Sequence, residues 1–270
     1  MRFENTARFV SAYRPLFLWG YGGFCLAIIA LTLFALLFES WGLIPISLAL
    51  LLLLFSRMFL LLWATYQRLD RPLASYYAFI KQYGLLNPQK DVVYLDLGGR
   101  RELLELAQQM INGRFFLVDL FAPHLMPRLH LLRVRQNIPP LPQLPRLEFK
   151  NGTTRLLPIQ DGSVHLVIMP YVWQEILQEG DRELLLKEVF RILAVSGRLL
   201  VIDQYRTPMN WVCLGFLASR LPYLSRIQHQ LKAAGFQNPE TTHYLQLSHT
   251  LISTKPGRTR IRQLPLNLYD

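Results

Sequence analysis

Residues 92–98 read Val92-Val93-Tyr94-Leu95-Asp96-Leu97-Gly98. A short apolar run ends in an acid and a glycine, and a helix-forming stretch, Arg101–Ile111, follows directly. That order is how a nucleotide-binding α/β domain opens: a buried parallel strand, a tight turn, and a helix whose N-terminus faces the ligand. The continuation departs from the pattern. Gly99-Arg100-Arg101-Glu102 occupies the place of a glycine-rich loop.

Downstream, strands and helices alternate. Val92–Leu97, Arg114–Asp119, Leu147–Lys150, His165–Met169 and Gly197–Asp203 read as five strands. Glu102–Met110, Pro123–Arg135, Val172–Leu193 (with a break at Gly180) and Leu224–Ala234 read as helices. Thr242–Gln246 and Thr250–Thr254 form a terminal strand pair. Alternation of this kind predicts a mostly parallel sheet covered on both faces. The proline-rich run Ile138–Pro145 lacks amide donors and is expected as a stiff connector. No internal repeat is visible.

Upstream the chain changes character. From Leu16 to Phe38 there are 23 residues without a charge, about 34 Å of helix, enough to cross a hydrocarbon core. After Glu39-Ser40, a second apolar run goes from Trp41 to Trp63, interrupted only by Arg57. A signal peptide has a shorter apolar core and no second span. The pattern therefore predicts a two-span membrane hairpin in residues 1–69, with spans at about 16–38 and 42–64. Trp19, Tyr21, Trp41, Trp63 and Tyr66 stand near the run ends, as in an aromatic belt. Arg2, Arg8 and Arg14 precede the first span, and Arg68, Arg71 and Lys81 follow the second. The positive-inside rule then places both ends, and the domain at 70–257, in the cytoplasm. Arg57 either snorkels from a short second span or faces a partner inside the membrane.

The 270 residues carry a net charge of +11, with 51% hydrophobic content and a mean hydropathy of +0.21. From Asp70 onward there are 24 Lys/Arg against 16 Asp/Glu. A basic domain tethered to a bilayer is drawn to anionic headgroups, and the tail at 258–270 with its basic lead-in Lys255–Arg262 is a candidate contact. No basic motif interleaved with aromatics supports nucleic-acid binding. Cys25 and Cys213 make neither a disulfide framework nor a metal-ligand spacing. The oligomeric state stays open.

Six blocks now stand in order: Leu95-Asp96-Leu97-Gly98; Val118-Asp119; Leu157–Val167 with Asp161-Gly162-Ser163; Leu186–Leu193; Ser196–Asp203; and Leu231–Phe236. Their order and spacing over Leu73–Gly257 resemble the class I S-adenosylmethionine-dependent methyltransferases, especially the type 11 group that includes quinone methyltransferases. The resemblance implies a Rossmann-like methyltransferase fold: a mostly parallel seven-stranded sheet with a terminal antiparallel strand, here preceded by a transmembrane helical hairpin. It also implies S-adenosylmethionine as cofactor. The family typically carries Asp/Glu-x-Gly-x-Gly-x-Gly after strand one. Asp96 and Gly98 keep that pattern, Arg100 and Glu102 depart from it, and Gly99 supplies backbone freedom from the neighbouring position.

By the same resemblance Asp119 accepts the ribose hydroxyls, a task for a two-oxygen acceptor. Thr153 occupies the place of an adenine-contacting aspartate, and Tyr171 packs against the methionine part. Gln174 or Glu175 orients an acceptor, while His165 replaces a common aspartate and is expected at the surface. Bland readings compete: Asp119 as a turn acid, Tyr171 and Trp173 as core aromatics, Glu175 as a helix-start acid. Methyl transfer to a nucleophilic acceptor needs chiefly in-line positioning, so no catalytic base is named. Pro208–Tyr223 reads as an amphipathic helix or lid, suited to a membrane interface or to covering the sheet edge. The expected function is methylation of a hydrophobic or membrane-associated acceptor, a lipid or quinone precursor. The alternative is a catalytically inactive scaffold or ligand sensor, motivated by the degenerate loop. A glycosyl or phospholipid transferase lacks the acidic metal-binding pair.

Overall fold

The computed structural model describes residues 6–7, 10–11, 14, 18–69, 79–98, 106–124, 131–132, 135, 143–245 and 247–257. Seven strands form one sheet: β1 (Val92–Asp96), β2 (Phe115–Asp119), β3 (Leu147–Asn151), β4 (Val164–Pro170), β5 (Leu193–Asp203), β6 (Gln237–Leu245) and β7 (Ser248–Thr254). Their order is β3-β2-β1-β4-β5-β7-β6. β1 to β5 run parallel, and β7 is antiparallel to both β5 and β6. The chain moves outward from β1 to β3 and then returns to β4 on the other side of β1. That reversal creates a crevice beyond the carboxyl ends of β1 and β4, the usual ligand position in such sheets.

The parallel strands are apolar because both faces are covered. β1 and β2 are buried at every position, whereas the edge strand β3 is not. Alternate residues face opposite sides. One core gathers Val93, Leu95, Val118, Val167 and Trp173 with Leu185, Val189 and Leu231. The other gathers Tyr94, Phe115, Ile168 and Ile202 with Phe79, Ile80 and Leu106.

Two apolar helices precede the sheet, α1 (Gly23–Leu37) and α2 (Leu43–Leu69). A π-helical turn, Leu18–Gly22, leads into α1. Leu43–Tyr66 of α2 is the one stretch of described helix long and apolar enough to cross a membrane, and α1 is shorter. Among the described residues after the hairpin, short helical stretches at 79–82 and 106–108 precede α3 (Glu179–Ile192), α4 (Pro208–Leu214) and α5 (Leu224–Ala233), with a 3₁₀ turn at Gly215–Arg220 between α4 and α5.

Several bounds differ from the sequence expectation. No helix starts at Val172. Trp173 is driven into the core and the Gln174 amide bonds Asp203, so the helix waits for Glu179 and Asp181, acids that suit its first turn. Gly180 lies inside that turn rather than breaking the helix. α3 passes straight into β5, which begins four residues early at Leu193. Most of the expected helix at Pro123–Arg135 and the whole expected connector core at 136–142 lie outside the described residues, as do the spans' basic flanks Arg2, Arg8 and Arg71.

Candidate functional site

Three acids close strands at the crevice edge. Asp96 ends β1, is 2% exposed, and accepts the Gly98 amide on Oδ1 at 2.8 Å. Its carbonyl accepts the Leu120 amide at 3.0 Å, tying the exits of β1 and β2 together. Gly98 has φ 116°, a conformation that a residue with a Cβ avoids. Gly99, Arg100 and Glu102 lie outside the described residues.

Asp119 ends β2 in register with Asp96. Its carboxylate holds a bidentate pair with Arg135: Nη1 to Oδ1 at 2.9 Å and Nη2 to Oδ2 at 2.6 Å. Oδ1 also accepts the Phe121 amide at 3.0 Å, and the guanidinium lies 4.3 Å above the Phe121 ring. Such a fork-to-fork pair is geometrically specific. Beside it, Gly152 lets the chain leaving β3 pass close under β2. A Cβ there would sit 2.6 Å from Val118 Cγ1.

Thr153 is exposed, and its hydroxyl accepts the Arg155 and Leu156 amides at 3.3 and 3.0 Å. With both acceptor positions used, its proton is what it can offer a ligand. Tyr171 follows β4 with φ 54°, and its amide bonds the Ile202 carbonyl at 2.7 Å. The hydroxyl meets Ser248 Oγ at 3.0 Å, so the ring turns toward β7 and the Tyr94–Ile168 core. Gln174 and Glu175 are both buried. His165 is half-buried, and burial beside Lys90 lowers its proton affinity.

Asp203 ends β5 with no exposure. Its Oδ2 accepts the Gln174 amide at 3.1 Å and its Oδ1 the Gln204 amide at 2.8 Å. Tyr205 is buried alongside, and burial together with the Asp203 charge pushes its hydroxyl well above the ordinary tyrosine range. Among the described residues no group of three His, Cys, Asp or Glu comes together to hold a metal ion.

A solved S-adenosylmethionine-dependent methyltransferase from Aquifex aeolicus superposes with a TM-score of 0.52 at 13% identity, over 70% of this chain and 92% of that one. The fold is that of the class I methyltransferases. A second methyltransferase of this kind, from Methanosarcina mazei, aligns with 16% identity over 66% of this chain and 97% of that one, TM-score 0.47. No family model and no curated protein matches the sequence.

Within the sheet domain, Arg191 explains why two sequence blocks occur together. From α3 it bonds the carbonyls of Leu157 and Ile159 at 2.9 and 3.1 Å and pairs with Glu188 and Asp161. Glu188 in turn accepts the Leu157 amide at 2.8 Å. The hydrogen bond from Arg191, with that from the Leu157 amide, holds the Glu188 carboxyl below its usual range. Helix and loop are thus one clamp beneath the crevice.

The apolar helix docks on this domain at the crevice edge. α4 starts five residues after β5, capped by the Thr207 hydroxyl on the Asn210 amide, with Pro208 in its first turn. Arg57 of α2 donates to the Val212 carbonyl in the last turn of α4. Gly215, φ 58°, ends α4 where a Cβ would collide with the Arg57 guanidinium. Ala64, Cys213 and Leu247 close an apolar contact with Leu60, Trp63 and Leu214 around them. At about 1.5–3 kcal/mol per fully buried large apolar side chain, this joint is worth a few kcal/mol. Of the two readings of Arg57, the structure therefore supplies a partner, and that partner, the Val212 carbonyl, belongs to the sheet domain.

Three residues of this region were not singled out from the sequence. Arg135 lies 16 residues from Asp119, and nothing local announces their pairing. Asn210 is fully buried and bonds the carbonyls of Tyr205 and Leu247 at 2.8 and 3.0 Å, joining α4 to both β5 and the β6–β7 turn. Asp203 did carry a signal, since Leu199–Asp203 repeats the apolar-run-plus-acid pattern of Val92–Asp96.

Proposed function

We propose that this chain is a membrane-anchored S-adenosylmethionine-dependent methyltransferase acting on a hydrophobic or membrane-associated acceptor such as a lipid or quinone precursor. The observation that carries the reading is the docking of the long apolar helix α2 onto α4 and Leu247, at the same sheet edge as Asp96, Asp119 and Asp203. An enzyme held there meets insoluble acceptors at high local concentration. On this reading α1 and α2 form a two-span hairpin with the domain on the cytoplasmic side, where its basic surplus faces anionic headgroups.

The residues fit the cofactor at β1, where Gly98 brings bare backbone beside the buried Asp96 carboxylate. They fit at β2 once Arg135 turns aside, which opens a lone pair on each oxygen of Asp119 to a ribose hydroxyl while Oδ1 keeps the Phe121 amide. Thr153 and Tyr171 would border the adenine and methionine ends, with Gly99 completing the turn. When bound, the cofactor supplies a methyl group on a cationic sulfur. The chain's part is to hold the acceptor in line and exclude water, and a nucleophilic acceptor needs no dedicated base.

Isothermal titration of the full-length protein in detergent micelles with S-adenosylmethionine tests the reading. Binding at micromolar to millimolar cofactor is expected, and no heat at millimolar cofactor would overturn it. A second reading, a methyltransferase-like scaffold or sensor without catalysis, is favoured by one observation: both Asp119 oxygens are already held by Arg135. Tight cofactor binding by the native chain removes that reading.

A further inference from the structure

α2 is apolar from Leu43 to Tyr66, 24 residues or about 36 Å of helix. The domain does not wait for its end. Contact begins at Arg57 and continues through Leu60, Trp63 and Ala64. The free part of α2, from Leu43 to Arg57, is about 21 Å long, and α1 from Phe24 to its end at Leu37 runs about 20 Å, with the π-helical turn Leu18–Gly22 continuing beyond. Both helices reach the same level, because Phe24 and Arg57 line one groove of about 360 Å³ between them with Ile28, Leu31, Leu50 and Leu54. A hydrocarbon core is about 30 Å thick. The hairpin therefore cannot cross it while the docked domain stays wholly outside. Crossing draws α4 and the 3₁₀ turn Gly215–Arg220 to the level of the acyl chains.

The surface of that segment suits the position. Phe216 is 80% exposed, and Met209, Trp211, Val212 and Tyr223 are exposed with it. Phe59 of α2, at the same level, is 67% exposed. From Gln204 to Pro239 the chain carries no Asp or Glu, while Arg206, Arg220, Arg226 and Lys232 are spread along it. Arg226 pairs with Glu179, and Arg206, Arg220 and Lys232 keep their positive charge beside the apolar side chains, which matches the two layers of a lipid interface carrying anionic headgroups.

We infer that α4 and the 3₁₀ turn are the domain's own membrane seat, immersed at the headgroup–acyl boundary beside Arg57–Ala64. The inference deepens the membrane-anchored reading and rests on it. Because α4 leaves the carboxyl end of β5, the seat turns the crevice edge toward the bilayer, so a lipophilic acceptor reaches it from the lipid side without crossing water.

The test uses the full-length protein in nanodiscs containing anionic lipid, with Cys25→Ser and Cys213 left in place because it is buried. An environment-sensitive fluorophore is attached in turn through Phe216→Cys, Leu33→Cys or Lys187→Cys, all at exposed positions. Quenching by lipids brominated high on the acyl chain is expected to be at least about threefold stronger at positions 33 and 216 than at 187. Quenching at 33 with none at 216 overturns the seat and leaves the anchor standing. Quenching at neither overturns the anchor as well. A label at 216 shielded from lipid in particles of doubled protein mass assigns the patch to a second copy and overturns the seat. None of these outcomes depends on cofactor binding, which the titration reads separately.

Discussion

Asp203 and Asp119 end strands of like design, Leu199–Asp203 and Phe115–Asp119, yet their carboxylates are satisfied in different ways. Asp203 accepts two backbone amides, from Gln174 and Gln204, and has no exposure. Asp119 accepts one backbone amide, from Phe121, but both its oxygens are held by a side chain, Arg135, which is itself 24% exposed. Backbone amides belong to the fold and cannot leave without unfolding a loop. A guanidinium on a long stem can leave by rotating into water. One acid is therefore architecture, and the other is a place where a ligand can compete.

The sharpest way to break this contrast is to remove each acid. Asp203→Ala strands two buried amides at about 1–3 kcal/mol each, so a loss of about 3 kcal/mol is expected. Asp119→Ala releases Arg135 to solvent and strands the half-buried Phe121 amide, for about 1 kcal/mol. Thermal unfolding of the full chain in detergent measures both. Equal losses would show that Arg135 is as fixed as an amide.

Next comes Arg135 itself. Arg135→Gln removes the competitor from both Asp119 oxygens while keeping a polar side chain. Cofactor affinity is expected to rise about fivefold, the scale of one partly exposed ion pair. Weaker binding by the variant would make Arg135 part of the ligand's own contact set rather than its rival.

How much of this was legible follows the range of each interaction. The strands, their alternation with helices, and the acid–glycine turn at Asp96-Leu97-Gly98 are local patterns, and the sheet carries them, with β5, β6 and β7 starting four, five and two residues earlier than the sequence pattern places them. The order β3-β2-β1-β4-β5-β7-β6 agrees with the resemblance in the spacing of the blocks. The start of α3 was misplaced because Trp173 obeys the core and Asp203 takes the Gln174 amide, a bond 29 residues long. The partner of Arg57 lies 155 residues away and that of Asp119 lies 16 away. No window of sequence contains those pairings. Packing decides them, so the site's acids were visible while their occupants were not.

The smallest effect concerns pH and again separates the two acids. Tyr205 is buried beside Asp203, and both burial and that negative charge favour its neutral form. Its affinity for the proton is thus higher in the folded chain than in the unfolded one, where it titrates near about 10. The stabilisation is complete below that value. It falls as pH rises above it, because the unfolded chain releases the proton first. The slope can reach about 1.4 kcal/mol per pH unit for one proton. Tyr205→Phe should flatten the loss of stability between about pH 10 and 11 in urea unfolding, whereas Asp119→Ala should leave that slope unchanged. A slope that persists in Tyr205→Phe would place the alkaline weakness elsewhere and detach it from the Asp203 corner.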